Sequence, residues 1–481
     1  MKKKFYITTA IDYVNAAPHL GHSLEKIQSD VIARHHRLLG EDVFFLTGTD
    51  ENSLKNVQAA AKEKIAIKDF VDRNAKKFHD LKKALNLSFD DFIRTTEQRH
   101  IKGAQKLWSA CKKDIYKKTY KGLYCVGCEE FYKEKELENG FCPEHRTKPE
   151  LVEEENYFFK LSKYQEQLKK IIGKDIVKII PETRKNETLS FINSGLEDIC
   201  ISRSAKRAKG WGIPVPGDPS QIQWCWFDAL SNYINALGYA QNSKKFGKWW
   251  QKNENKLHVI GKGILRFHGI YWCAILLSAK LVLPNTIFVH GYLTSAGQKM
   301  SKSLGNVIDP FELVKKYGCD PVRYFLLREI PATEDGDFTY EKFEARYNAD
   351  LAKGLGNLVA RVITLADKFK IPAFARATAG KQNSKIIKNT WDRYKKALDE
   401  FKFNEALVVI WGLISFCDRY IEKEKPWQES SNRQLTINNL LFAINNIARL
   451  LQPFLPETSE RIFQQLKTKK SSILFPRLPE R

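Results

Sequence analysis

Residues 10–22, AIDYVNAAPHLGH, join a run suited to a buried strand to one suited to a helix. Lys4–Thr9 is aromatic and β-branched, whereas residues 23–39 carry apolar side chains at helical spacing. The join is a strand-to-helix crossing, and it opens an α/β pattern. Pro18 ends the extended segment, and Gly21 lets a ligand approach the helix start. His19 and His22 are three apart and share one side of the first turn once the helix has begun. Free N–H groups and two imidazoles there make a place to hold phosphate. Taken alone, the stretch fits a polar N-terminal loop equally well.

Working outward, Gly40 stops the helix, and residues 43–46 form a short apolar strand ending in Thr47-Gly48-Thr49-Asp50. Polar groups at the carboxyl end of a buried strand are where open α/β sheets bind ligands. Asp50 there suits an amine or a ribose, or else the N-cap of the next helix. The sheet pattern returns near Trp224, with WFDALSNY at residues 226–233 presenting Trp226, Ala229, Leu230 and Tyr233, which either pack a core or line a pocket. A strand at 258–260 leads through Gly261-Lys262-Gly263 into a long apolar helix carrying Ile264 and His268, and a further strand follows at 286–289. The expected fold is α/β: a doubly wound, Rossmann-like parallel sheet, split by an insertion.

The insertion has its own signature. Cys125 and Cys128 are followed, after 13 residues, by Cys142 and His145. Three thiolates and one imidazole complete a tetrahedral zinc shell with no open position, so a structural Zn2+, one per chain, is expected. The other six cysteines lack such spacing and read as core or surface residues. Beyond the second half-sheet, residues 297–306, GQKMSKSLGN, place Lys299, Ser301 and Lys302 in a Gly-bounded loop. Such a loop can surround a triphosphate or be a solvated turn. From Tyr347 onward the apolar spacing is helical, which implies an all-α bundle.

The chain of 481 residues has a formal net charge of +23, which favours a polyanionic partner, nucleic acid ahead of a membrane surface. The longest apolar window, residues 264–283, contains Arg266, His268 and Lys280 and reads as a buried helix rather than a membrane span. Basic residues at the start give way to Asp12 before an apolar leader can form. With nine cysteines in no disulfide pattern, a soluble, cytoplasmic protein with no membrane partner is expected.

HLGH at the start of the first helix and KMSKS after the second half-sheet resemble the two signatures of class I aminoacyl-tRNA synthetases. AIDY, TGTD, the zinc knuckles and WFDALSNY, all in order, narrow the resemblance to the bacterial methionyl-tRNA synthetases from end to end. It implies methionine–tRNA ligase activity: ATP activates methionine to an adenylate, and the 3′ end of tRNA(Met) accepts it. The methionine side chain would lie among Ala10, Ile11, Tyr13, Trp226, Ala229, Leu230, Tyr233, Ile264 and His268, with its amino group at Asp50. ATP, with Mg2+, would meet His19, Gly21, His22, Glu25, Arg203, Lys299, Ser301 and Lys302, of which His19, His22, Lys299 and Lys302 are catalytic candidates. Asn357, Arg361 and Trp427 would read the anticodon.

The domains implied are residues 1–115 and 224–293 as the two catalytic halves, 116–223 as the zinc-bearing insertion, 294–346 as loop and connector, and 347–481 as the anticodon-binding bundle. A monomer is expected, because the chain ends soon after the bundle. Three positions depart from the family pattern: Asn52-Ser53, where His-Gly is common, and Gly263, where Asp is common.

Overall fold

The computed structural model describes residues 2–144, 146–300, 305–371, 381–428 and 432–479, with 299 and 381–384 described by backbone alone. His145, Ser301 and Lys302 therefore lie outside the described residues. The chain forms two compact units: residues 1–18, 39–82 and 88–290 in one, and 19–38, 83–87 and 291–481 in the other.

The first unit is built on a seven-stranded sheet. Its strands are β1 (Lys4–Thr9), β2 (Asp12–Tyr13), β3 (Asp42–Asp50), β4 (Asp91–Arg94), β5 (Lys178–Ile180), β6 (Lys256–Gly261) and β7 (Thr286–His290). The order is β2-β3-β1-β6-β7-β5, with β4 also on β3, and every pairing is parallel. Strands buried on both faces explain the near-continuous apolar runs of β1 and β7. This is the Rossmann-like sheet expected, and the insertion contributes its own antiparallel sheet of Ile115–Cys125, Glu130–Tyr132, Glu150–Phe159 and Ile199–Cys200.

Three local expectations change. The strand expected at 43–46 runs on to Asp50, because Leu46 to Thr49 pair with β4 and Thr49 and Asp50 with β2. Gly48 makes that pairing possible, since a Cβ there would sit 2.0 Å from the Ile93 carbonyl oxygen. Asp50 is consequently a strand residue; the N-cap of the next helix, α2 (Leu54–Glu63), is Ser53, whose hydroxyl accepts from the Asn56 N–H at 3.3 Å. The long helix expected after Gly261 is broken into a 3₁₀ turn at Lys262–Ile264, a π-helical turn at Phe267–Trp272 and an α-helical segment at Cys273–Ser278. Single π turns of this kind gather at functional sites.

The second unit contains α1 (Leu20–Leu38), a three-stranded sheet of Leu293–Ser295, Gln298–Lys299 and Gly336–Phe338, and a helical bundle. The bundle comprises α3 (Asn357–Lys368), α4 (Lys381–Asp399), α5 (Phe403–Glu424), α6 (Arg433–Leu451) and α7 (Pro456–Thr468). Helix α1 begins three residues earlier than the apolar period alone indicates, so HLGH forms its first turn. Asp30, midway along α1, meets Arg323 at 2.8 Å with both side chains fully buried. Arg323 also donates to the carbonyls of Leu85, Pro453 and Phe454. These added hydrogen bonds to the guanidinium are what make such a buried ion pair tolerable.

Candidate functional site

In the first unit, aromatic residues from distant parts of the chain converge beyond the carboxyl ends of β1, β3 and β6. Tyr13 meets Trp226 edge-on, with ring centroids 6.3 Å apart, and Trp226 stacks on Phe267 at 3.9 Å. Tyr233 shares a 2.7 Å hydrogen bond with Nε2 of His268, whose Nδ1 lies 2.9 Å from the Ile264 carbonyl. A carbonyl only accepts, so Nδ1 carries the proton and Tyr233 donates to Nε2. Ala10, Ala229 and Leu230 are buried, and Ile11, Trp226 and Ile264 are partly buried against the core. The structure thus gathers all of the proposed apolar residues in one unit.

Asp50 is buried at the end of β3, 3% exposed. Its carboxyl is held well above the usual carboxylate range, first by burial and then by the nearby charge of Asp228, itself raised by burial. Asn52 lies between them: its backbone N–H donates to Asp50 and its side-chain amide to Asp228, each at 3.3 Å. A residue that departs from the family pattern therefore steadies two buried acids. Gly263, another departure, is exposed on the 3₁₀ turn.

Sequence reasoning missed Glu129. It is fully buried, has φ 58°, and follows Cys128 directly. Its carboxylate pairs with Arg203 at 2.5 Å and accepts from the Leu54 N–H, at the start of α2, at 2.6 Å. Only the positions brought together in three dimensions reveal that role; Asp228 and Phe267, embedded in aromatic runs, were missed for the same reason. Trp226 Nε1 donates to the Cys128 carbonyl at 3.3 Å, so the knuckle supports the aromatic cluster directly. The sulfur atoms of Cys125, Cys128 and Cys142 lie within 4.8 Å of one another, a spacing that can hold a metal ion.

In the second unit, the HLGH turn closes on itself. The imidazoles of His19 and His22 lie 3.9 Å apart by centroid. The His19 N–H donates to Nδ1 of His22 and the Gly21 N–H to Nδ1 of His19, both at 3.1 Å, while the Leu20 N–H donates to the Ile308 carbonyl at 3.0 Å. This corrects the expectation of free N–H groups at the helix start: they are occupied, and in the neutral rings the proton sits on Nε2. A Cβ at Gly21 would lie 2.9 Å from the His19 ring, so a larger residue there would push that imidazole aside. Burial, reinforced by Lys26, lowers His22 to about 3, so this imidazole is neutral at pH 7. Glu25 is buried one turn further on.

Lys299 pairs with Thr294 in the small sheet of the second unit. Asp337 fixes the turn before it, accepting from Thr294 Oγ1 at 2.7 Å and from the Gly297 N–H at 2.8 Å. In the bundle, Asn357 and Arg361 lie one turn apart on α3, with Asn357 exposed. Arg361 is engaged by Glu422 at 2.5 Å and Asp418 at 3.7 Å, both on α5. Trp427, 43% exposed, lies three residues beyond the end of α5.

A family profile described as tRNA synthetases class I (M) matches residues 5–148 and 132–363, and one for the anticodon-binding domain of tRNA ligase matches residues 385–481. The methionine–tRNA ligase of Brucella suis is 42% identical over 97% of this chain and 92% of its own length. That of Thermotoga maritima is 43% identical over 96% of this chain and 75% of its own length. The solved structure of Mycobacterium tuberculosis methionyl-tRNA synthetase with methionyl-adenylate superposes with a TM-score of 0.91 at 37% identity, covering 99% of this chain and 100% of that one. Its apo form gives 0.84 at 34% identity, covering 100% and 99%.

Proposed function

The chain belongs to the class I methionyl-tRNA synthetases, and on that premise we propose how its residues divide the work. The protein is a methionine–tRNA ligase: it activates methionine with ATP to methionyl-adenylate and transfers the amino acid to the 3′ end of tRNA(Met). The division is carried by one observation, the buried Asp50 carboxyl beside the aromatic wall of Tyr13, Trp226 and Phe267. The thioether of methionine, apolar and polarizable, suits aromatic faces, and its ammonium suits a buried carboxylate.

An oxygen of the methionine carboxylate attacks the α-phosphorus of ATP. The new P–O bond forms as the bond to the bridging β-phosphate oxygen breaks, releasing pyrophosphate. A terminal tRNA ribose hydroxyl then attacks the acyl carbon, and AMP leaves. The nucleophile of the first step is already ionised, so the protein's part is positioning and charge stabilisation. His19 and His22 donate from Nε2 to the nucleotide phosphates, Lys299, Ser301 and Lys302 neutralise the departing pyrophosphate, and Glu25 and Arg203 serve the nucleotide side. Magnesium is assigned to the ATP phosphates. Methionine-dependent exchange of pyrophosphate into ATP tests this division; wild-type protein that folds but shows no exchange would overturn it.

Cys125, Cys128, Cys142 and His145 are proposed to hold a structural zinc ion, which supplies folding energy to the insertion. The support is the closeness of the three sulfur atoms. The nine cysteines fall in no disulfide pattern, which supports a reducing, cytoplasmic setting. We also propose that the protein acts as a monomer, which sedimentation would test.

Lys302→Ala is expected to slow exchange about 100-fold while leaving the methionine dissociation constant within twofold, the mark of a group that acts in the transition state. An unchanged exchange rate would remove Lys302 from that role. Asn357, Arg361 and Trp427 are proposed to contact the anticodon, with the exposed indole stacking on a base. Trp427→Ala is expected to weaken tRNA binding about 5- to 150-fold, the range of one lost base stack, with exchange intact. Equal loss of exchange and charging would make Trp427 structural.

A further inference from the structure

We propose that His258 is a positioning residue for methionine recognition: tethered to Thr8 on the neighbouring strand, it forms the floor that fixes the ring of Tyr233. The inference rests on the reading of Tyr233 and its neighbours as the methionine pocket. Thr8 and His258 are register partners on β1 and β6, and Thr8 Oγ1 lies 2.7 Å from His258 Nδ1. The imidazole lies against the Tyr233 ring at 4.1 Å, tilted by 31°, and Trp250 lies on it at 6.0 Å. Tyr233 is held at two further points, its carbonyl by the Tyr6 hydroxyl at 2.7 Å and its own hydroxyl by His268. Floor, backbone and tip are therefore each fixed by a different element.

Filling space alone does not call for histidine here. The residue is 1% exposed, and its Nε2 is buried without a hydrogen-bond partner among the described residues. Leaving a polar atom so costs stability that a Leu or Phe would not cost. What the imidazole adds is the bond to Thr8, which fixes ring rotation as a hydrocarbon ring could not. The groups around it are Thr8, Tyr233, His268 and Trp250, with Lys256 on its own strand. Burial, then His268 and Lys256, hold its pKa well below that of an ordinary imidazole, so the floor is neutral and insensitive to pH near 7.

The test compares Thr8→Val, which removes the tether without touching either ring, with Thr8→Ser, which keeps it. In methionine-dependent exchange, Thr8→Val is expected to raise the KM for methionine about tenfold, the effect of one hydrogen bond, with kcat and the KM for ATP within twofold. Thr8→Ser should restore the wild-type value. His258→Phe should match Thr8→Val, and tryptophan fluorescence titration with methionine reports the same shift on the folded fraction. An unchanged methionine KM in Thr8→Val, or equal losses in Thr8→Val and Thr8→Ser, would overturn the inference. Absence of exchange in the wild type would instead overturn the reading of the pocket.

Discussion

Asp50→Asn is expected to lower kcat/KM for methionine about 1,000-fold, the upper range for removing one partner of a buried charge pair. The substitution keeps the shape and one oxygen of the side chain, so β3 and its pairing with β2 and β4 survive. What is lost is the counter-charge for the methionine ammonium in a site that water cannot screen. Asp228 does not substitute, since its own carboxyl is buried and held by Asn52.

The same geometry sets a pH dependence. Burial and Asp228 raise the Asp50 pKa in the empty protein, so the carboxyl becomes protonated at a higher pH than an ordinary aspartate. Only the ionised form attracts an ammonium. The KM for methionine is therefore expected to rise as pH falls, starting above the usual carboxylate range, and this rise should vanish in Asp50→Asn. A profile identical in wild type and variant would remove Asp50 from the amine-binding role.

Removal of the proposed zinc ion is expected to abolish methionine activation as well as to unfold the insertion locally. Structural zinc sites of this kind supply on the order of 10 kcal/mol, comparable with the whole stability of a domain. The knuckle is joined to the pocket through several bonds, among them that of Trp226 to the Cys128 carbonyl, and Glu129 joins Arg203 to the start of α2. Chelation, or Cys142→Ser, should therefore eliminate exchange activity and methionine-induced fluorescence change, and added zinc should restore the chelated wild type. Full activity in metal-free protein would show that the knuckle and the pocket are energetically separate.

Much of this could be read from residue order because the chemistry of class I activation sits in short runs with local physical causes. The period of residues 23–39 and the β-branched run before it predict a crossing from strand to helix wherever the chain goes afterwards. The cysteine spacing predicts a metal shell because two tight turns suffice to bring the sulfur atoms together. The start of α1 was harder: Leu20, Gly21 and His22 belong to its first turn through the hydrogen bonds of His19 and His22, which apolar periodicity does not register.

By itself, the sequence determined the α/β class, the helical C-terminal region and the family. These follow from periodicity, spacing and motif order, all local along the chain. Tertiary structure decided how far β3 extends, where Asp50 stands, and how the helix beyond Gly261 breaks. It also decided which buried groups hold the site in place: Glu129 between Arg203 and α2, Asn52 between two acids, and His258 beneath Tyr233. Each of those depends on residues between 25 and 250 positions away or on a neighbouring strand's register, so its energy exists only once the sheet has closed. The opening run AIDYVNAAPHLGH shows the division most plainly: its order announced a crossing, while folding placed its first residues in the aromatic pocket's unit and its HLGH turn in the other.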